Sequence, residues 1–181
     1  MHINKVKTAI KVGDFILNKD SKSLNYISVK YSSEIKNDIL KDNRGRVYLF
    51  TSDGFIKKIG GSSSTGGIKT TLSNYTSSMT GSPGKPRFIL HLLIRDELVA
   101  KKKVEIFMIQ SDFFTGPVNG LFNNKIIKVA AFKEMEARCR EDYFKLDEKN
   151  PEWNFKENNA DYPKNYSLLH VKYHEKRLGK K

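Results

Sequence analysis

The segment RGRVYLFTSDGFIKKIGG, residues 44–61, constrains the fold more than any other stretch of this chain. Two runs rich in β-branched and aromatic residues, 46–51 and 55–60, flank Ser52-Asp53-Gly54, so a β-hairpin is expected. Its register decides which side chains share a face. A two-residue Asp53-Gly54 turn would set Tyr48 opposite Ile59 and leave Tyr48 and Lys58 on opposite faces. A three-residue loop with Gly54 left-handed sets Thr51 opposite Phe55, Phe50 opposite Ile56 and Tyr48 opposite Lys58. The second register is preferred because it gives two coherent stripes and brings a phenol and an ammonium together.

The rest of the chain is read around this hairpin. Residues 1–43 are polar and mixed, with short apolar groups at 15–17 and 26–29 and no strong period, and read as an N-terminal arm. The polar loop GSSSTGG opens onto IKTTLSNYTSS, a short helix of modest propensity. After the breakers GSPGKP, residues 87–100 read as a helix with Phe88, Leu92, Ile94 or Arg95, and Leu98 near one face. KVEIFMIQ, 103–110, is apolar on both faces, as a central strand is. GLFNNKIIKVA, 120–130, reads as a second hairpin around Asn123-Asn124. A helical pattern over 131–147 stops before Asn150-Pro151, and a basic tail with interleaved tyrosines follows. The expected class is α/β (α+β): a small, mostly antiparallel central sheet flanked by helices.

At 181 residues and 38% hydrophobic, the chain supports one core with appendages. Its 33 Lys+Arg against 20 Asp+Glu give a net charge of +13, spread along the whole sequence, which points to a polyanionic partner. The longest apolar run, FILHLLI, is far short of a membrane span. The N-terminus lacks an apolar stretch followed by a small-residue cleavage site, so a cytoplasmic setting is expected. The single Cys139 excludes an internal disulfide and a cysteine-based zinc site.

The -V-Y- strand, the turn and a second strand ending in -K-I-G- resemble the paired motif of the GIY-YIG nuclease superfamily, in the type II restriction branch where the second tyrosine is lysine. The loop and helix after KIG, the long strand, a late helix containing Glu, and NPEWN at 150–154, similar to the closing Pro-x-aromatic-Asn of this superfamily, extend the likeness over residues 44–155. The arm, 1–43, and the tail, 156–181, lie outside it. The resemblance implies hydrolysis of phosphodiester bonds in double-stranded DNA, with magnesium or another divalent cation. Such chemistry needs an activated water, a cation at the phosphate and relief for the leaving oxygen. Tyr48 would orient or deprotonate the water, its pKa lowered by Lys58, or Lys58 would bind the phosphate directly.

The metal-binding carboxylate is sought on the late helix. At about 100° per residue, Phe132, Met135, Cys139, Tyr143 and Leu146 form one stripe, with Glu136 on its border and Glu134 and Glu141 pointing away. Glu136 is the expected ligand; counting back from NPEWN as in some members of the superfamily it resembles would instead imply Glu141, kept as runner-up. The superfamily arginine of the first helix is absent, its place held by Thr71, and Lys69 and Arg87 are the nearby cations. His91, inside an apolar run, reads as a core histidine, and His170 and His174 as tail residues. GGSSSTGG lacks the ending of a P-loop and instead brings backbone near a DNA strand, while its adjacent double glycine clears space for a phosphate backbone. Lys164, Lys172, Lys176, Arg177, Lys180 and Lys181 are read as phosphate contacts.

The expected function is that of a type II restriction endonuclease acting as a homodimer, the arm and tail supplying dimer and groove contacts. The alternatives are a non-catalytic DNA-binding protein and a repair or homing nuclease of the same superfamily.

Overall fold

The structure, a computed structural model, describes residues 1–19 and 25–179. Lys180 and Lys181 lie outside the described residues. The segment read as an arm supplies two strands of the sheet, β1 (Ile10–Leu17) and β2 (Ile27–Tyr31), and a short helix, α1 (Asn37–Lys41). Both strands are half exposed, so neither carries a clean alternation in sequence. Gly13 lets them approach, since a Cβ there would lie 2.3 Å from the Lys30 carbonyl.

The hairpin follows as β3 (Arg46–Ser52) and β4 (Phe55–Ser62). Asp53 and Gly54 both take positive φ, 47° and 78°, so the turn is the two-residue kind. Ser52 pairs with Phe55 and Thr51 with Ile56; Lys57 then bulges, and pairing resumes with Phe50 opposite Lys58, Leu49 opposite Ile59 and Tyr48 opposite Gly60. The expected three-residue loop and direct Tyr48–Lys58 pairing are therefore corrected. The bulge shifts the register by one residue in the sense opposite to that of the expected loop, which restores the same alternation of faces with Tyr48 two residues further along β4. Tyr48, Phe50 and Lys58 thus still share a face, diagonally related, and Ile56 moves to the other with Val47, Leu49 and Ile59.

Next come α2 (Gly67–Thr76), α3 (Lys85–Val99) and β5 (Val104–Gln110). The sheet has five strands in the order β2-β1-β5-β3-β4, all paired antiparallel, with β5 between β1 and β3 and β4 at an edge. A separate two-stranded ribbon is made by β6 (Phe114–Asn119) and β7 (Asn124–Val129). Its loop is Gly120 to Asn123, so the second hairpin forms but turns earlier than Asn123-Asn124. Two helices close the chain, α4 (Phe132–Asp147) and α5 (Lys164–Arg177), the latter within the basic tail.

Helices cover both faces of the sheet. On one, Phe15, Phe50 and Ile106 pack under Ile68 and Leu72 of α2 and Leu90 and Ile94 of α3. Each such side chain, fully buried, contributes about 1.5–3 kcal/mol. On the other face, Val47, Leu49, Ile56 and Ile59 meet Met135, Cys139 and Tyr143 of α4, with Ile3 from the N-terminal turn. Leu146, expected in the same stripe, is exposed. Tyr166 and Tyr173 dock α5 on α3. Among the described residues no helix is long and apolar enough to cross a membrane.

Candidate active site

The double glycine that ends the hairpin is explained by what lies over it. A Cβ on Gly60 would fall 2.3 Å from the Tyr48 hydroxyl, and one on Gly61 would fall 2.6 Å from Glu136 Oε2 and 2.9 Å from the Phe132 carbonyl. The two glycines therefore make room for a phenol on one side of β4 and for α4 with its carboxylate on the other. The expected clearance for a phosphate backbone is replaced by this internal packing.

Tyr48 is buried and its hydroxyl lies 2.6 Å from that of Tyr75 on α2. Phe50 completes the aromatic cluster, 5.1 Å from Tyr48 and 5.2 Å from Tyr75 between ring centroids. Burial, then the Tyr75 hydroxyl and the Glu136 charge, push the Tyr48 phenol well above its ordinary pKa, with Arg87 opposing. This is opposite to the lowering expected from Lys58, because loss of water outweighs a lysine that does not face the hydroxyl directly. Burial likewise raises Tyr75.

Lys58 is half-buried, and burial lowers its pKa, against the pull of Glu157 and Glu136 and with the push of Arg140. Its neighbour Lys57 pairs with Glu152 at 2.6 Å, whereas Lys58 makes no hydrogen bond or ion pair among the described residues. Glu136 is in the same condition: half-buried, unpaired, and close enough to act on Tyr48, Tyr75 and Lys58. An ammonium and a carboxylate held half out of water without partners mark a site that expects a ligand. Glu141 differs, being exposed and bonded by Arg138 at 3.3 Å.

The chain around Lys58 is pinned from outside the sheet. Asn154, fully buried, accepts from the Ile59 amide at 2.9 Å and donates to the Ile59 carbonyl at 3.0 Å, and the Trp153 amide donates to the Lys57 carbonyl at 2.8 Å. The NPEWN segment thus acts as a further pairing partner for edge strand β4 on either side of Lys58. Arg46, also fully buried, donates to the carbonyls of Asp42 (2.6 Å), Arg44 (2.7 Å) and Ser64 (3.2 Å), tying the loop after β4 to the start of β3. Sequence reasoning missed Arg46, Glu157 and Arg140, because an arginine at a strand start, a charge in the turn after Asn154 and one on a highly charged helix read as solvated.

The remaining residues divide. Thr71, where an arginine was expected from the resemblance, is buried and its hydroxyl lies 2.7 Å from that of Ser62. Of the two nearby cations, Arg87 is exposed at the first turn of α3 and acts on both phenols. Lys69 is turned elsewhere, donating to Asn37 at 2.6 Å and lying over the Tyr31 ring. Lys172 and Arg177 are exposed on α5. His91 is the core histidine expected: Nδ1 donates to the Tyr75 carbonyl at 2.8 Å and Nε2 accepts from the Tyr26 amide at 3.1 Å. His170 and His174 touch each other and the Pro83 carbonyl. Among the described residues no group of three or more His, Cys, Asp or Glu side chains gathers as a metal site.

The chain matches no family model and no curated protein. It is similar to solved nuclease structures. A point mutant of bacteriophage T4 EndoII superposes with a TM-score of 0.55 at 17% identity, over 85% of this chain and 99% of that one. The restriction endonuclease HPY188I in complex with product DNA gives a TM-score of 0.48 at 19% identity, over 82% of this chain and 80% of that one. At such identity the T4 likeness shows the fold alone.

Proposed function

We propose that this protein is a divalent-metal-dependent endonuclease of double-stranded DNA, of the GIY-YIG kind and the type II restriction branch, acting as a homodimer. The observation that carries this reading is that half-buried Lys58 and Glu136, each without a hydrogen bond or ion pair among the described residues, lie within electrostatic reach of one another at edge strand β4, with Glu136 and Arg87 both acting on the Tyr48–Tyr75 pair. The nuclease fold and the +13 charge support it.

Glu136 suits a hard cation: a single accessible carboxylate, with water and substrate oxygens completing the shell, is what magnesium takes. When bound, the ion polarises the phosphate and eases the leaving oxygen. The chain's own residues do the rest. Arg87 meets the phosphate, standing in for the arginine absent at Thr71. Tyr48, kept neutral by burial, orients the attacking water through its hydroxyl, and Tyr75 fixes that hydroxyl. Lys58 is the better proton acceptor, because burial moves its pKa toward the working range while that of Tyr48 moves away from it.

Incubating purified protein with plasmid and phage DNA, with and without magnesium, tests the proposal. Discrete fragments that require the metal are expected, and sequencing their ends gives site and overhang together. No cleavage with any divalent metal would contradict it.

A further inference from the structure

The β6–β7 ribbon is used by nothing described so far. Among the described residues its strands pair only with each other, and neither packs closely on another element. An isolated two-stranded hairpin is marginal in water, so a ribbon of this kind needs something to lie against. Its surface says what. Leu121 and Phe122 at the tip are 93% and 96% exposed, and the register places Phe114, Val118, Ile127 and Val129 together on one face, with Lys125, opposite Val118, as its one charge. Ile126, 75% exposed, lies on the other beside Pro117. Single exposed apolar residues need no explanation, but a continuous group does.

Charge narrows the choice of partner. Residues 114–129 hold no acid and only Lys125 and Lys128, in a chain that is 29% charged. Two copies of a chain of net charge +13 repel across most of their surfaces. They meet at least cost where charge is sparse and apolar area is large, which is the composition of an interface core. We infer that the apolar face and tip of this ribbon are the contact surface between two copies of the chain, packed about a two-fold axis. This rests on the homodimer reading above and gives it a place: the ribbon leads directly into α4, so its partner contact is one short connection from Glu136.

The test is the mass of the protein alone in solution, by sedimentation equilibrium. The wild type is expected to be a dimer at micromolar concentration. Leu121→Ser/Phe122→Ser and, separately, Phe114→Ser/Val129→Ser should weaken dimerisation by about a hundredfold or more, with circular dichroism and thermal unfolding unchanged. A wild-type dimer that both variants leave intact overturns the ribbon assignment while sparing the homodimer reading. A monomeric wild type overturns both, and if the same substitutions then weaken duplex binding, the ribbon is a DNA-contacting arm. Cleavage is not read in this experiment, so the endonuclease reading stands or falls separately.

Discussion

Lys58 and Tyr48 share one face of the hairpin, yet burial moves them in opposite senses. The phenol is driven up and the ammonium down. Lys58→Arg, which keeps the charge but cannot give up its proton, is expected to lose about 10²–10⁴ in cleavage rate. Tyr48→Phe, which removes an orienting hydroxyl, should lose less. The wild-type rate should rise with pH along a limb set below the ordinary lysine value of 10.5 and missing from the residue left by Lys58→Arg. Equal losses with the limb retained would assign the proton to another group. A structural prediction belongs at this scale too: Gly60→Ala should cost about 1–3 kcal/mol in urea unfolding, since its Cβ would sit 2.3 Å from the Tyr48 hydroxyl. Gly116→Ala, with nothing within 4 Å, should be close to neutral.

At the scale of elements, β4 is an edge strand whose outer side is completed by Asn154. Asn154→Ala leaves both buried backbone groups of Ile59 unpaired and is expected to cost about 2–4 kcal/mol. Cleavage should fall beyond what the stability loss explains, because Lys58 loses its frame. His91 joins the end of α2 to the start of β2 in its neutral form, its pKa lowered by burial. The unfolded chain therefore binds the extra proton more readily, and stability present above the ordinary value of 6.5 should decline as pH falls below it. A flat urea-unfolding profile across that window would argue against a neutral His91. Helices α2, α3 and α4 and the β3–β4 hairpin were legible in sequence from their apolar patterns and specific turn residues, whereas α1 and α5, inside the stretches read as arm and tail, were not, because neither carries an apolar period. The register was not, since a bulge at Lys57 leaves no mark in composition. Strands β1 and β2 were hidden by half-exposed faces. The border position of Glu136 on α4 was legible from helical geometry: it is half-buried and makes no hydrogen bond or ion pair among the described residues. Asn154 was legible only as part of a motif, because its two bonds reach a residue 95 positions away.

For the whole molecule, charge and site must act on one substrate. Duplex binding should weaken steeply with salt. Removing Lys172 or Arg177, both exposed on α5, should lower the log–log slope by roughly one each while affecting all sequences alike. Lys69, committed to Asn37 and Tyr31, should change it least. The most direct measurement of the central claim compares plasmid cleavage by wild type, Glu136→Ala and Glu141→Ala in magnesium, with duplex binding followed in parallel. Wild type and Glu141→Ala should yield the same discrete fragments, and Glu136→Ala should bind DNA as tightly as wild type without cutting it. Normal cleavage by Glu136→Ala, or its loss in Glu141→Ala instead, would contradict the site described.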